Sequence, residues 1–126
     1  MDPTTQAALR HSQVIDLTTT GRRTGLPRRI EIFLHSDDGL LFITGQPRPQ
    51  TRDWLRNVRA DAHVTLHLKR ELAADVPALA RVIDDPEARR PLIESAARRW
   101  GRDDVELMME QSPLIVIEPV EDTATR

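Results

Sequence analysis

Between Gly21 and Arg29 the chain places four arginines, Arg22, Arg23, Arg28 and Arg29, within eight positions, around Gly21, Gly25 and Pro27. Guanidinium forks match the paired oxygens of a carboxylate or phosphate, and glycine-containing turns bring backbone N–H groups close to an anion. The segment is therefore a candidate anion-binding loop. A solvated charged turn between two strands has the same composition, and these residues alone leave both readings standing.

A second group follows downstream. Thr44 and Gly45 end an extended run, and Arg48 and Arg52 flank Thr51, which suits a helix N-cap ahead of Asp53. Small residues at a strand end admit a ligand close to the backbone, and a helix N-terminus favours anions. Trp54 and Asn57 are adjacent on that helix at a spacing of three. Trp54 reads as core before cofactor wall, and Asn57 as a hydrogen-bonding partner for a neighbouring turn.

Other chemistries find little support. His63 and His67 share the spacing of a helical metal pair, but on a strand they stand about 13 Å apart at ~3.3 Å per residue, too far for one zinc. They share a face with Thr65 and Lys69, opposite Val64, Leu66 and Leu68, so both are expected to face solvent. His11 and His35 are expected at element ends, and Asp84 and Asp85 as helix caps. The chain has no cysteine, hence no disulfide, thiolate metal site or thiol nucleophile. No nucleophile–base spacing, phosphate-binding loop or dinucleotide-type glycine pattern is present. A metal site and hydrolase chemistry are not expected.

The elements that must position these residues follow from periodicity. Val14–Thr20 alternates, with Ile15, Leu17 and Thr19 on one face; Arg29–His35 alternates with Ile30, Ile32 and Leu34 together. Asp37-Asp38-Gly39 predicts a hairpin turn returning through Leu40–Thr44. Trp54, Leu55 and Val58 define the buried face of a helix. Val64–Leu68 and Ala74–Val82 read as strands. Pro86 opens a helix with its apolar stripe at Leu92, Ile93, Ala96, Ala97 and Trp100, and Gly101 stops it. A further helical piece covers Asp103–Gln111, and Leu114–Ile117 reads as a closing buried strand. Most strand connections are too short for parallel crossovers, so the expected fold is mainly β with covering helices (α+β), a small and mostly antiparallel barrel.

Composition bounds the partners. At 126 residues, 39% hydrophobic and 30% charged, the chain fits one domain over 1–126, with a short helix or arm at 1–11 and a polar tail at 121–126. No apolar run reaches membrane-spanning length and no signal-type leader opens the chain, so a cytoplasmic protein without stable membrane insertion is expected. Residues 1–70 carry eleven Lys/Arg against seven Asp/Glu, whereas residues 71–126 carry seven against thirteen. A basic first half suits one compact anion, and an acidic second half with four aromatic rings (Phe33, Phe42, Trp54, Trp100) argues against nucleic acid.

The run from Leu17 to Arg28, with Thr20-Gly21-Arg22-Arg23-Thr24-Gly25 at its centre, resembles the signature of the deazaflavin-dependent nitroreductase family of actinobacteria. Arg52–Asp61 leading into Val64-Thr65-Leu66 is similar to that family's Trp-x-x-Asn-Leu helix and following strand, and Ser112–Val116 to its closing segment. The resemblance extends from about residue 12 to 119. It implies the split β-barrel of flavin-reductase-like proteins and binding of coenzyme F420, a deazaflavin with a phosphate and an oligoglutamate tail, with FMN as the alternative. It further implies that Arg22, Arg23 and Thr24 meet the phosphate or tail. Arg28, Arg29, Ile30, Ile32 and Phe33, then Phe42, Thr44 and Gly45, and finally Asp53, Trp54 and Asn57 would line the remaining groove, with the ring near Thr44.

Some relatives place lysine in the turn where this chain has Gly45, or before the Trp helix where it has Gln50; Arg48 or Arg52 could substitute electrostatically, without the same geometry. Tyrosines line the substrate side in relatives, and this chain has none. The implied reaction is hydride transfer from reduced F420 to a quinone, enone or nitro-aromatic acceptor, with Thr44 and turn amides orienting the ring. The alternative is a non-catalytic carrier of F420, flavin or tetrapyrrole. A monomer or homodimer is expected.

Overall fold

Strand β1 (Gln13–Thr20) buries Ile15, Leu17 and Thr19 and turns Val14, Asp16 and Thr18 to the other face. Apolar Ile15 and Leu17 alternate with polar Asp16 and Thr18, so that face of the strand must find a core. The computed structural model describes residues 1–120; the tail expected from Glu121 lies outside the described residues. Strand β2 (Pro27–Asp37) returns to β3 (Leu40–Thr44) through Asp38 (φ 49°) and Gly39 (φ 87°). Two consecutive positive φ values are the hairpin geometry that an Asp-Gly pair tolerates best.

Strands β4 (His63–Lys69), β5 (Ala73–Val82) and β6 (Leu114–Pro119) complete a closed barrel in the order β1-β2-β3-β6-β5-β4, every neighbouring pair antiparallel. Closure leaves no free edge. The interior is filled by Ile15, Leu17, Leu34, Leu41, Ile43, Leu66, Leu68, Val76, Ile115 and Ile117. Helix α2 (Asp53–Ala60) adds Trp54, Leu55 and Val58 to that cluster near the β1–β2 connection, while Leu9, after helix α1 (Pro3–Ala8), joins it near the start of β1.

A second apolar layer lies outside the barrel wall. Helices α3 (Pro86–Trp100) and α4 (Val105–Gln111) pack Ile93, Ala96, Ala97 and Met108 against Phe42 and Leu114. The acidic cap expected before α3 is Asp85, whose carboxylate accepts from the Ala88 N–H at 3.0 Å. Asp84 instead takes both arms of the Arg59 guanidinium, at 3.0 and 2.9 Å. Helix α3 ends at Gly101 in the left-handed region (φ 67°), with nothing within 4 Å of an added Cβ. Gly101→Ala therefore costs backbone strain alone, about 1 kcal/mol. Thermal denaturation should show Tm lowered by roughly 3–5 °C.

Several local expectations are corrected. Thr51 is not the cap of α2: Arg52 occupies that position and no side chain caps the helix. The last helix begins at Val105 rather than Asp103, and the first ends at Ala8 rather than His11. His67 is not solvent-facing. Strands β1 and β5 flank it, its Nε2 lies 2.7 Å from Thr18 Oγ1 and its Nδ1 2.7 Å from Asp75 Oδ1. His63, by contrast, is exposed.

His35 is not at an element end but inside β2 and fully buried, stacked on Phe42 with ring centroids 4.6 Å apart and edge-on to Phe33. Arg99 donates to its Nδ1 at 2.7 Å, so the ring proton sits on Nε2, which has no partner among the described residues. Burial, and after it the Arg99 charge, lower this imidazole from 6.5 to about 4. The unfolded chain thus takes up a proton that the folded one refuses between those values. Stability should be complete above pH 6.5 and fall as pH is lowered through that window. Denaturant titrations across pH check this, and His35→Leu should flatten the slope there.

Candidate functional site: an arginine-lined groove

The loop between β1 and β2 is held by its own backbone. Gly21 N–H donates to the Leu26 carbonyl at 2.8 Å, Gly25 N–H to the Gly21 carbonyl at 2.8 Å, and Leu26 N–H to Thr24 Oγ1 at 3.1 Å. Gly25 adopts φ 72°, and a Cβ on Gly21 would stand 2.8 Å from Thr24 Oγ1. The two glycines let the turn close on itself, so its arginines project from a defined support rather than from a slack loop.

Those arginines form one wall of a groove of about 790 Å³. Arg22, Arg23, Thr24, Arg28, Arg29 and Ile30 line it from the loop and β2; Arg48, Arg52, Asp53, Trp54 and Asn57 line it from the segment before α2 and from that helix. Among the described residues, six guanidinium groups face a single lining carboxylate, Asp53, which lies 3.6 Å from Arg22 and 3.8 Å from Arg56. Arg29 is partly neutralised by Asp16 at 3.0 Å. Arg23, Arg28, Arg48 and Arg52 have no carboxylate partner among the described residues.

Asn57 is 4% exposed. Its Oδ1 accepts from the Arg22 backbone N–H at 3.1 Å and from Arg22 Nη1 at 3.2 Å, and its Nδ2 donates to Thr19 Oγ1 at 3.1 Å. Arg52 bends back over Gly45: a Cβ there would meet its guanidinium at 3.0–3.3 Å, and its Nη2 donates to the Gln46 carbonyl at 2.5 Å. Burial and the neighbouring Arg48 charge lower the Arg52 pKa, so an anion at this point relieves a like-charge contact.

Five expected groove residues lie elsewhere. Thr44 is 1% exposed and donates its hydroxyl to the Pro113 carbonyl, so it presents no hydroxyl to a ring in the groove. Phe42 is fully buried under α3, and Phe33 packs edge-on to His35 and Trp100. Ile32 is partly buried and packs against the barrel core. Gly45 lies beneath Arg52, which takes the place on the wall. Strand β3 is buried from Leu41 to Thr44, and past Ile30 the apolar side chains of β2 pack into the core or against α3, so the groove takes residues of β2 only from its Pro27–Ile30 end. Gly21 and Pro27, the turn residues of the arginine loop, also line the groove, as does Thr19, which the sequence had placed only on the buried face of β1. The signal for them was adjacency to the arginine loop.

A guanidinium-rich groove with one competing carboxylate and an indole wall suits a polyanionic coenzyme with an aromatic head, the donor set expected for F420. No described helix is long and apolar enough to cross a membrane.

Solved structures share the fold at low identity. A conserved hypothetical protein from Mycobacterium tuberculosis is 21% identical over 96% of this chain and 82% of its own, with TM-score 0.69. An F420-H2 dependent reductase is 20% identical over 83% and 93%, with TM-score 0.65. The heme storage protein HutZ from Vibrio cholerae is 15% identical over 96% and 91%, with TM-score 0.69. Among curated proteins nothing matches. The model of the F420H(2)-dependent quinone reductase family matches residues 2–118, and with its split barrel and arginine-lined groove the chain belongs to that family of F420-dependent oxidoreductases.

Proposed function

We propose that this chain passes a hydride from reduced F420 to a quinone, and that enones and nitro-aromatics are accepted at the same position. The observation that carries the reading is the imbalance of the groove among the described residues, six guanidinium groups against one carboxylate beside the buried Trp54. When bound, the coenzyme supplies the hydride chemistry; the protein supplies position and field. Arg22, Arg23, Thr24 and Arg28 hold the phosphate and the first carboxylates of the tail. Arg48 and Arg52 hold charge on the opposite wall, and Trp54 with Ile30 gives the aromatic head an apolar surface. Among the described residues no tyrosine or histidine lines the groove, and in this reading solvent supplies the proton that accompanies the hydride.

Two measurements test this. A fluorescence titration with F420 at physiological salt should saturate; absence of binding at tens of micromolar ends the reading. Steady-state oxidation of reduced F420 should then depend on added menadione. A protein that binds the coenzyme but never oxidises its reduced form is a carrier instead.

A further inference from the structure

The amide of Asn57 is committed before any ligand arrives. Both lone pairs of its Oδ1 face Arg22, one taking the backbone N–H at 3.1 Å and the other Nη1 at 3.2 Å. Its Nδ2 is turned to Thr19 Oγ1 at 3.1 Å, and Thr19 is itself 2% exposed on β1. The two donors on Arg22 fix which end of the amide is oxygen, since a flipped amide would set its NH2 against both. The bonds tie three separate pieces of chain together: the inner face of β1, the second turn of α2 and the first residue of the arginine loop after Gly21. Arg22 has both its backbone N–H and its guanidinium anchored by one side chain of α2. Its side chain is 23% exposed and is steadied further by Asp53 at 3.6 Å.

We propose that Asn57 is a positioning residue for coenzyme recognition: it holds Arg22 against the groove wall and acts on the coenzyme's anion only through that arginine. This rests on the reading that the loop arginines take the F420 phosphate or tail. Pre-ordering the guanidinium removes the side-chain entropy that binding would otherwise cost. Removing Asn57 also leaves the Arg22 N–H without its acceptor, and the start of the loop loosens.

The test has an arm without coenzyme. Amide hydrogen exchange of Arg22 should be protected in the wild type, faster by about 10-fold or more in Asn57→Ala, and largely preserved in Asn57→Asp, which keeps an acceptor oxygen. Unchanged exchange in Asn57→Ala overturns the proposal. In the second arm, Asn57→Ala should raise the Kd for F420 about 10-fold in the wild-type background and about twofold or less in Arg22→Ala. Equal losses in both backgrounds mean that Asn57 contacts the coenzyme itself, and the proposal falls. If wild-type protein fails to bind F420, the functional reading fails, while the exchange arm still decides whether Asn57 orders the loop. Should Asn57→Ala not fold, Asn57→Ser in the same cycle carries the binding arm.

Discussion

Replacing Arg22 and Arg23 together by alanine is expected to weaken F420 binding by roughly 10–100-fold while leaving the barrel folded. A hydrogen bond to a charged group contributes about 1.5–3 kcal/mol, and exposure with salt screening discounts it. Arg23 is exposed, and Arg22 is half-buried with its guanidinium already shared with Asn57 and Asp53. The pair together should therefore be worth about 1.4–2.7 kcal/mol, the stated range of affinity. The loop itself should persist, because its closing bonds run between backbone atoms of Gly21, Gly25 and Leu26. Fluorescence titration beside a thermal melt separates the two effects. Unchanged affinity with unchanged Tm would mean that the loop is a solvated turn and that the coenzyme's anion lies against Arg48 and Arg52.

The largest effect on stability is expected from Arg89. Its guanidinium is buried and donates to the carbonyls of Ile83 at 3.0 Å, Met108 at 3.3 Å, Met109 at 3.0 Å and Ser112 at 2.8 Å. Three of these belong to the end of α4 and the residue after it, where the helix dipole is negative; the Met108 carbonyl also accepts from the Ser112 N–H at 2.9 Å, whereas those of Met109 and Ser112 lie past the last intrahelical donor. One side chain from α3 thus terminates α4 and ties it to the strand end at Ile83. Burial lowers the Arg89 pKa and the Asp84 charge opposes this, so the group remains a cation. Arg89→Met should keep much of the volume but take the side-chain donor from the Ile83, Met109 and Ser112 carbonyls, at a cost of about 3–5 kcal/mol. Against a typical total of 5–15 kcal/mol, urea denaturation should show a large drop in midpoint. Arg89→Lys, a point charge without the planar fork, should recover only part of it.

The arginine loop was legible in the sequence because it needs only local information. Gly21, Gly25 and Pro27 interrupt an alternating run, and four arginines there exceed what a turn requires. Eleven of the sixteen residues expected around the ligand do line one groove. Those that do not, Phe33, Phe42, Ile32, Thr44 and Gly45, sit on β2, β3 or the turn that follows. There local periodicity says which residues share a face but not what covers it.

What the sequence determined by itself is the set of elements with short-range causes: β1 from alternation, the β2–β3 hairpin from Asp38-Gly39, and α3 from Asp85-Pro86 at its start and Gly101 at its end. What only the tertiary structure decided is which polar groups are buried and with whom. His35 lies under α3, His67 lies between strands carrying Thr18 and Asp75, Asn57 meets Arg22 across 35 residues, and Arg89 reaches carbonyls up to 23 residues away. A hydrogen bond or ion pair depends on a few ångströms of placement. Placement of that kind arises only when the barrel closes and brings distant segments together, whereas an apolar stripe is written in the spacing of the residues that form it.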